Sequence, residues 1–298
     1  MRYNLFLISE PGSLYLSKAL INVIKSSIDI SNNKIIDMQW LADNESILIK
    51  LELEDYSSLK NKLQNLIPKN IDFILLRDGK MRKKLLIADM DSTIIQQECL
   101  DEVAKYINKY EQVKKITDLA MEGKIDFKKS LLKRIKLLSG VEESILQDVY
   151  NNYITINSNA KSLVKTMKAN GSKTLLVSGG FSFFADQIAN TIGFDYVESN
   201  TLEIKNGILT GLVKEPILDE NSKLKIMNEI AQINSIDVSD SIAVGDGAND
   251  IPMIKQAGIG VSFRGKSTLR NISDVNIKNG DLSSILYIQG YKKSNFIE

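Results

Sequence analysis

The chain has 298 residues, enough for about two domains, since single cores stop growing near ~250–300 residues. A net charge of +1 removes any electrostatic case for nucleic acid or an anionic membrane as a partner. There is no histidine, which excludes a Ser-His-Asp triad, a Cys-His dyad, a histidine phosphatase and any His-ligated zinc site.

The first elements alternate clearly. "YNLFLIS" reads as a strand, and "PGSLYLSKALINVIKSS" as a helix with Pro11 and Ser13 near its start. "KIIDMQW" and "SILIKLEL" read as strands, the second alternating at Ile47, Ile49, Leu51 and Leu53. "YSSLKNKLQNLI" is a helix stopped by Pro68, and "DFILLR" a last strand. The order βαββαβ predicts a small α+β ferredoxin-like domain over 1–78. Residues 77–84 combine an Asp-Gly turn with a basic cluster, which predicts the boundary there.

The second part opens with "KLLIAD", a short run suited to a strand covered on both faces. Residues 96–153 then read as wholly helical. After them come the strand "KTLLVSGG", a helix closed by Gly193, a hairpin turning at Asn206-Gly207, the helix "DENSKLKIMNEIAQI", and "SIAVGDGAND", another strand ending in glycines and acids. The helix "IPMIKQAG" and the strand "IGVSF" follow. Strands alternating with helices predict a doubly wound parallel sheet, α/β in class, over 84–298. The helical block, about 96–155, interrupts the alternation after the first strand. An insertion there sits over the carboxyl ends of the strands, where open α/β sheets bind ligands, and so is a candidate cap.

The single cysteine, Cys99, allows no intrachain disulfide and fits a cytoplasmic location. The N-terminal apolar run is broken by Ser9, Glu10 and Pro11, too early for a signal peptide, and no apolar run approaches the ~18 residues of a membrane span.

Three strand ends carry the chemistry: Asp89 with Asp91, Ser178, and Asp246 with Asn249 and Asp250. A parallel sheet brings them to one edge. Four aspartates at close range call for a divalent cation, and an all-oxygen donor set selects Mg²⁺. Asp89 and Asp91 are two apart, which on a strand puts both on one face. One carboxylate can attack a phosphorus while its neighbour handles the proton. Lys223, Ser178 and the backbone N–H of Gly179 can neutralise the transferred phosphoryl group.

These residues carry a family resemblance. "DMDST", "LLVSGG", the lysine of "LDENSK" and "VGDGAND" resemble, in order, the four motifs of the haloacid dehalogenase superfamily. "DMDSTIIQQECLDEVA", "AMEGKIDFKKSLLKRIKLL" and "VSGGFSFFADQIA" are similar to its phosphoserine phosphatase branch, over about residues 84–290. Residues 1–77 more loosely resemble the ACT-like domain that precedes the catalytic part in some members. The resemblance implies that Asp89 is the nucleophile and Asp91 the general acid and base. It implies Mg²⁺ held by Asp89, Asp246 and the main-chain carbonyl of Asp91. Ser178, Gly179, Lys223 and Asn249 would hold the phosphoryl group, with Asp250 orienting Lys223. Glu98 would meet the ammonium and Arg134 the carboxylate of a small substrate, O-phosphoserine, with Met121 and Phe127 as an apolar wall. The cap segment "AKYINKYEQV" departs from the family in lacking a glycine between its helices.

Two alternatives remain at this level. One is a related phosphatase or phosphotransferase for another amino-acid phosphate, such as phosphohomoserine. The other is a phosphorylated signalling module, which would need neither Asp91 nor a cap. Residues 1–77 leave open an effector, a homodimer partner, or simple packing.

Overall fold

The computed structural model describes residues 1–29 and 33–298. In the first part, strands β1 (Arg2–Ser9), β2 (Lys34–Ala42), β3 (Ser46–Glu52) and β4 (Ile71–Arg77) form an antiparallel sheet in the order β2-β3-β1-β4. Helices α1 (Lys18–Asp29) and α2 (Tyr56–Leu66) connect them. Strand alternation separates two faces. Leu5, Leu7, Ile47, Ile49 and Leu51 share a core with Ile24, Ile28, Leu59 and Leu63 of the helices. Phe6, Ile8, Leu48 and Ile74, on the opposite face, belong to the main core of the molecule. α2 is capped by Asp55, whose carboxylate accepts from Ser58 N at 3.0 Å.

The expected start of the first helix near Pro11 is corrected: α1 begins at Lys18. Gly12 and Leu14 have φ of 77° and 57°, which a helix cannot contain. Ser17 Oγ accepts from Leu20 N at 3.2 Å and so caps the helix well past the start that Pro11 and Ser13 suggest. Leu14, which fits the helical period on paper, is 69% exposed.

The second part runs in chain order through β5 (Leu85–Ala88), α3 (Cys99–Tyr106), α4 (Tyr110–Met121), α5 (Phe127–Leu137), α6 (Ser144–Tyr153), α7 (Ala160–Ala169), β6 (Lys173–Phe181), α8 (Ser182–Ile192), β7 (Tyr196–Asn200), β8 (Leu202–Lys205), β9 (Ile208–Val213), α9 (Glu220–Ile233), β10 (Ser241–Gly245), α10 (Ile251–Gln256), β11 (Ile259–Phe263) and β12 (Val275–Ile277). Six strands form a parallel sheet in the order β12-β11-β10-β5-β6-β7, and β8-β9 is a separate hairpin. β5 lies between β10 and β6, all four of its residues fully buried, as its unbroken apolar run requires. The crevice at its carboxyl end is where the strand order reverses.

Helices α3 to α6 make the inserted block, packed through Val103, Val113, Leu131, Leu138, Leu146 and Val149. Asn108 supplies the turn between α3 and α4 with φ 55°, the left-handed conformation that asparagine tolerates better than most residues. The missing glycine there is thereby replaced. Local pattern does not announce α7, β7 or β12. Strands β7 and β12 are five and three residues long and carry polar residues, so neither displays a period. Among the described residues no helix is long and apolar enough to cross a membrane.

Candidate active site

Asp89 follows β5 directly and donates its backbone N–H to Val244 O at 3.0 Å, which fixes the strand end against β10. Its carboxylate accepts from Lys223 Nζ at 2.5 Å. The same ammonium donates to Asp250 Oδ1 at 2.7 Å. Lys223 is only 2% exposed although it lies in the first turn of α9. That helix is started by a capping box between Asp219 and Ser222, which points Lys223 inward. Asp250 Oδ2 accepts from the backbone N–H groups of Asp246 and Gly247, each at 3.1 Å. Asp250 therefore ties the lysine to the loop carrying Asp246, and both its oxygens have donors.

The strand expected to carry both acids ends at Ala88, so Asp91 lies beyond it on an extended residue with ψ 136°, and Ser92 turns the chain back with φ 56°. Asp91 Oδ1 accepts from Cys99 N at 2.9 Å, at the start of α3. Its Oδ2 lies 3.5 Å from Ser178 Oγ, the outer limit for a hydrogen bond. Ser178 Oγ in turn accepts from Gly180 N at 2.9 Å. A Cβ on Gly180 would sit 2.7 Å from Asp91 Oδ2 and 3.0 Å from Ser178 Oγ, so any side chain there would displace the Asp91 carboxylate. A Cβ on Gly179 would lie 2.3 Å from the Phe127 ring, so the inserted helices rest on this glycine.

Glu98 and Arg134 come from different helical segments of the insertion and line one cavity with Asp89 and Asp91. Met121, Phe127 and Leu131 form its apolar wall, and Gly179 and Asn249 complete the core side. Glu98 Oε1 accepts from Ser92 Oγ at 2.8 Å. Arg134 is 3% exposed, donates from Nη1 to Thr117 Oγ1 at 3.1 Å, and leaves its Nε without a partner among the described residues. Thr117 Oγ1 donates onward to Asp101 Oδ1 at 2.7 Å. Sequence reasoning misses Thr117, Asp101 and Asn200. Asn200 Nδ2 donates to Gly179 O at 2.9 Å and its Oδ1 accepts from Leu218 N at 2.8 Å, pinning the β6 loop. No motif spacing flags these residues, because each acts through a neighbour distant in the chain.

The electrostatics are those of crowded, buried acids. Burial first, then the Asp250 charge, pushes Asp89 up to about 7 against the pull of Lys223. Burial, then Asp91 and Asp101, pushes Glu98 up to about 8. Asp91 is raised by burial, and Asp246 far more, by burial and then the Glu98 and Asp89 charges. Lys223 is held above the ordinary lysine value by Asp250 and Asp89, which outweigh its burial. Oxygens of Asp89, Asp246 and Asp250 lie within 4.8 Å of one another, all buried, and could hold a metal ion. Asp246 Oδ1 and Asn249 Oδ1 are buried without a hydrogen-bond partner among the described residues. Orphaned buried oxygens beside crowded carboxylates fit a hard divalent cation.

The fold and these strand-end residues define a class. The haloacid dehalogenase-like hydrolase family model matches residues 86–255, more than half of the chain, and the chain belongs to that family. Within it, a phosphoserine phosphatase from Albidiferax ferrireducens is 44% identical over 208 residues, 68% of this chain and 88% of that protein. A crystal structure of a HAD family hydrolase from Salmonella enterica serovar Typhi aligns with TM-score 0.83 and 28% identity, over 96% of this chain and 98% of that one. A phospho-aspartyl intermediate analogue of phosphoserine phosphatase aligns with TM-score 0.67 and 41% identity, over 69% of this chain and 98% of that one.

Proposed function

We propose that this protein is an Mg²⁺-dependent phosphatase that hydrolyses O-phospho-L-serine to L-serine and phosphate, the closing step of serine synthesis. One observation carries the reading. A single buried cavity pairs the Asp89–Asp91 dyad with a carboxylate, Glu98, and a guanidinium, Arg134. The first two suit phosphoryl transfer and the last two suit the ends of a zwitterion, with the buried, unpaired Nε of Arg134 available to bond a carboxylate. The 44% identical phosphoserine phosphatase supports the same substrate.

In this reading the Asp89 carboxylate attacks phosphorus as the bond from phosphorus to the serine oxygen breaks. Asp91, whose pKa burial raises above the ordinary carboxylate value, gives a proton to the leaving oxygen. Asp91 then takes a proton from water, whose oxygen attacks phosphorus and frees Asp89. Lys223, Ser178, Gly179 and Asn249 hold the phosphoryl oxygens. Asp89, Asp246 and the main-chain carbonyl of Asp91 would hold Mg²⁺, which when bound supplies positive charge to the phosphoryl group. Met121 and Phe127 exclude water.

The cavity has about 20 Å³ of free space, room for roughly one water. A wider cavity of about 440 Å³, lined by Glu98, Met121 and Asp246, adjoins it, and the inserted helices over about 96–155 act as a cap on both. The same reading takes 1–78 as an ACT-like domain and 84–298 as the phosphatase domain, in the cytoplasm, where a free Cys99 is stable.

The test is phosphate release from O-phospho-L-serine, phosphothreonine, phosphohomoserine and p-nitrophenyl phosphate, with Mg²⁺ or EDTA, for wild type and Asp89→Asn. Mg²⁺-dependent release selective for phosphoserine and lost in the variant is expected. Preferential turnover of another ester would overturn the roles of Glu98 and Arg134.

A further inference from the structure

We infer that Asp72, in the first sheet and outside the phosphatase core, is a positioning residue for the loop that carries Asp246. The inference rests on the reading of Asp246 as a metal ligand. Asp72 is 3% exposed. Its carboxylate accepts from three consecutive backbone N–H groups beyond β12: Lys278 at 3.1 Å, Asn279 at 3.0 Å and Gly280 at 2.9 Å, with Asn279 Nδ2 adding a fourth donor at 2.9 Å. Successive N–H groups converging on one anion fix a loop's shape.

That loop holds the next one. Arg264, after β11, donates its backbone N–H to Ile277 O at 2.8 Å and its Nη2 reaches Gly280 O at 3.4 Å. Arg264 has φ 49°, a conformation that a bulky side chain avoids unless its neighbours impose it. Two residues on, Lys266 N donates to Asp246 O at 2.8 Å. Gly265 lies so close that a Cβ there would stand 2.9 Å from the same carbonyl oxygen. Asp246 Oδ1 has no hydrogen-bond partner among the described residues, so its main chain aims it. The main chain is held on one side by Asp250 and on the other by residues 264–266. A continuous set of bonds thus runs from Asp72 to the metal-binding edge, and the first sheet braces that edge.

Glu45 provides the contrast. It too is a buried carboxylate of the first part bonded to the second, accepting from Tyr287 Oη at 2.7 Å and Lys293 Nζ at 2.6 Å. Neither bond leads to residues 264–266, so Glu45 joins the two parts without bracing the site.

The experiment is a Mg²⁺ titration of the EDTA-stripped full chain, followed by its thermal melting. Asp72→Asn should raise the Mg²⁺ midpoint about 3- to 10-fold, less than the ~10–100-fold typical of groups bonded directly to a ligand side chain. Arg264→Ala should do the same, and the double variant should be no worse than the weaker-binding single, as one relay requires. Glu45→Gln should lower the melting temperature and leave the midpoint in place. Asp72→Asn melting lower with an unmoved midpoint would overturn the inference, reducing Asp72 to an interface contact like Glu45. Should Asp72→Asn not fold, an unmoved midpoint in Arg264→Ala, an exposed residue, overturns it equally. A wild type that shows no Mg²⁺-dependent melting would remove the metal reading of Asp246, and this inference with it.

Discussion

Replacing Lys223 by methionine keeps the length of the side chain and removes its charge. The ammonium lies 2.5 Å from Asp89 and 2.7 Å from Asp250, and lysine and both acids are at most 5% exposed. Deleting one member of such a cluster leaves two carboxylates facing each other without water. Removing one partner of a buried pair costs about 3–5 kcal/mol. At ~2–4 °C per kcal/mol for a chain of this size, the metal-free Lys223→Met variant should melt about 10 °C below wild type. The loss has a pH signature. Without Lys223 the folded pKa of Asp89 rises further above its unfolded value, so the variant is least impaired at pH 5 and most impaired at pH 8. A second change, Asp250→Asn, removes one of the two opposed charges and should recover about half of the loss. Activity should not return, since the Lys223 ammonium proposed to hold the phosphoryl group is gone. Melting curves at pH 5 and 8 for wild type and both variants decide the matter. A single variant as stable as wild type, or a double variant no more stable than the single, would refute the view that these three groups form one charge-balanced unit.

Metal and pH should be linked in the wild type. Folded Asp89 and Glu98 keep their protons up to about 7 and about 8, while an unfolded carboxyl loses its proton near ~4. Stability present at pH 5 is therefore lost as pH rises through 7 to 8, and Mg²⁺ should raise the melting temperature more at pH 8 than at pH 5; the reverse order would contradict the site electrostatics. Gly180→Ala would drive a methyl group to 2.7 Å from Asp91 Oδ2, so kcat should fall about 100-fold or more with little change in melting, and near-normal turnover would show that Asp91 is not held where its chemistry needs it. Thr117→Val should remove the hydrogen bonds that link Asp101 to Arg134, raising KM for phosphoserine about 10-fold with a smaller effect on kcat, as expected for a lost hydrogen bond to a charged group. A fall in kcat at unchanged KM would instead place Thr117 outside substrate binding.

Much of this protein is legible in local pattern. Runs such as Leu85–Ala88 announce buried parallel strands because two covered faces leave no room for polar residues. The acids and glycines that end those runs announce a site because backbone turning and charge concentrate where strands stop. The absence of histidine by itself narrows the chemistry to carboxylates, lysine, hydroxyls and a hard cation. Helix starts are less legible. Leu14 and Leu16 continue the helical period of α1 back toward Pro11, yet the chain bends there and Ser17 takes the cap, because Leu16 is buried and Leu14 is not.

What tertiary structure alone decided has a common cause: each case is a contact between residues far apart in the chain. Thr117 bridges Asp101 and Arg134 only because α3, α4 and α5 pack side by side. Asn200 pins Gly179 only because β7 pairs with β6. β12 is three residues with no period of its own, and it is a strand because β11 offers it an edge. Asp72 looks in the sequence like any acid beginning a strand, and it became a brace for the active-site edge only when folding brought it under the N–H groups of Lys278, Asn279 and Gly280, more than two hundred residues away. Residue type and spacing set the local elements and the chemistry available at their ends. Long-range hydrogen bonds and packing, which no local period encodes, determined how those ends are held.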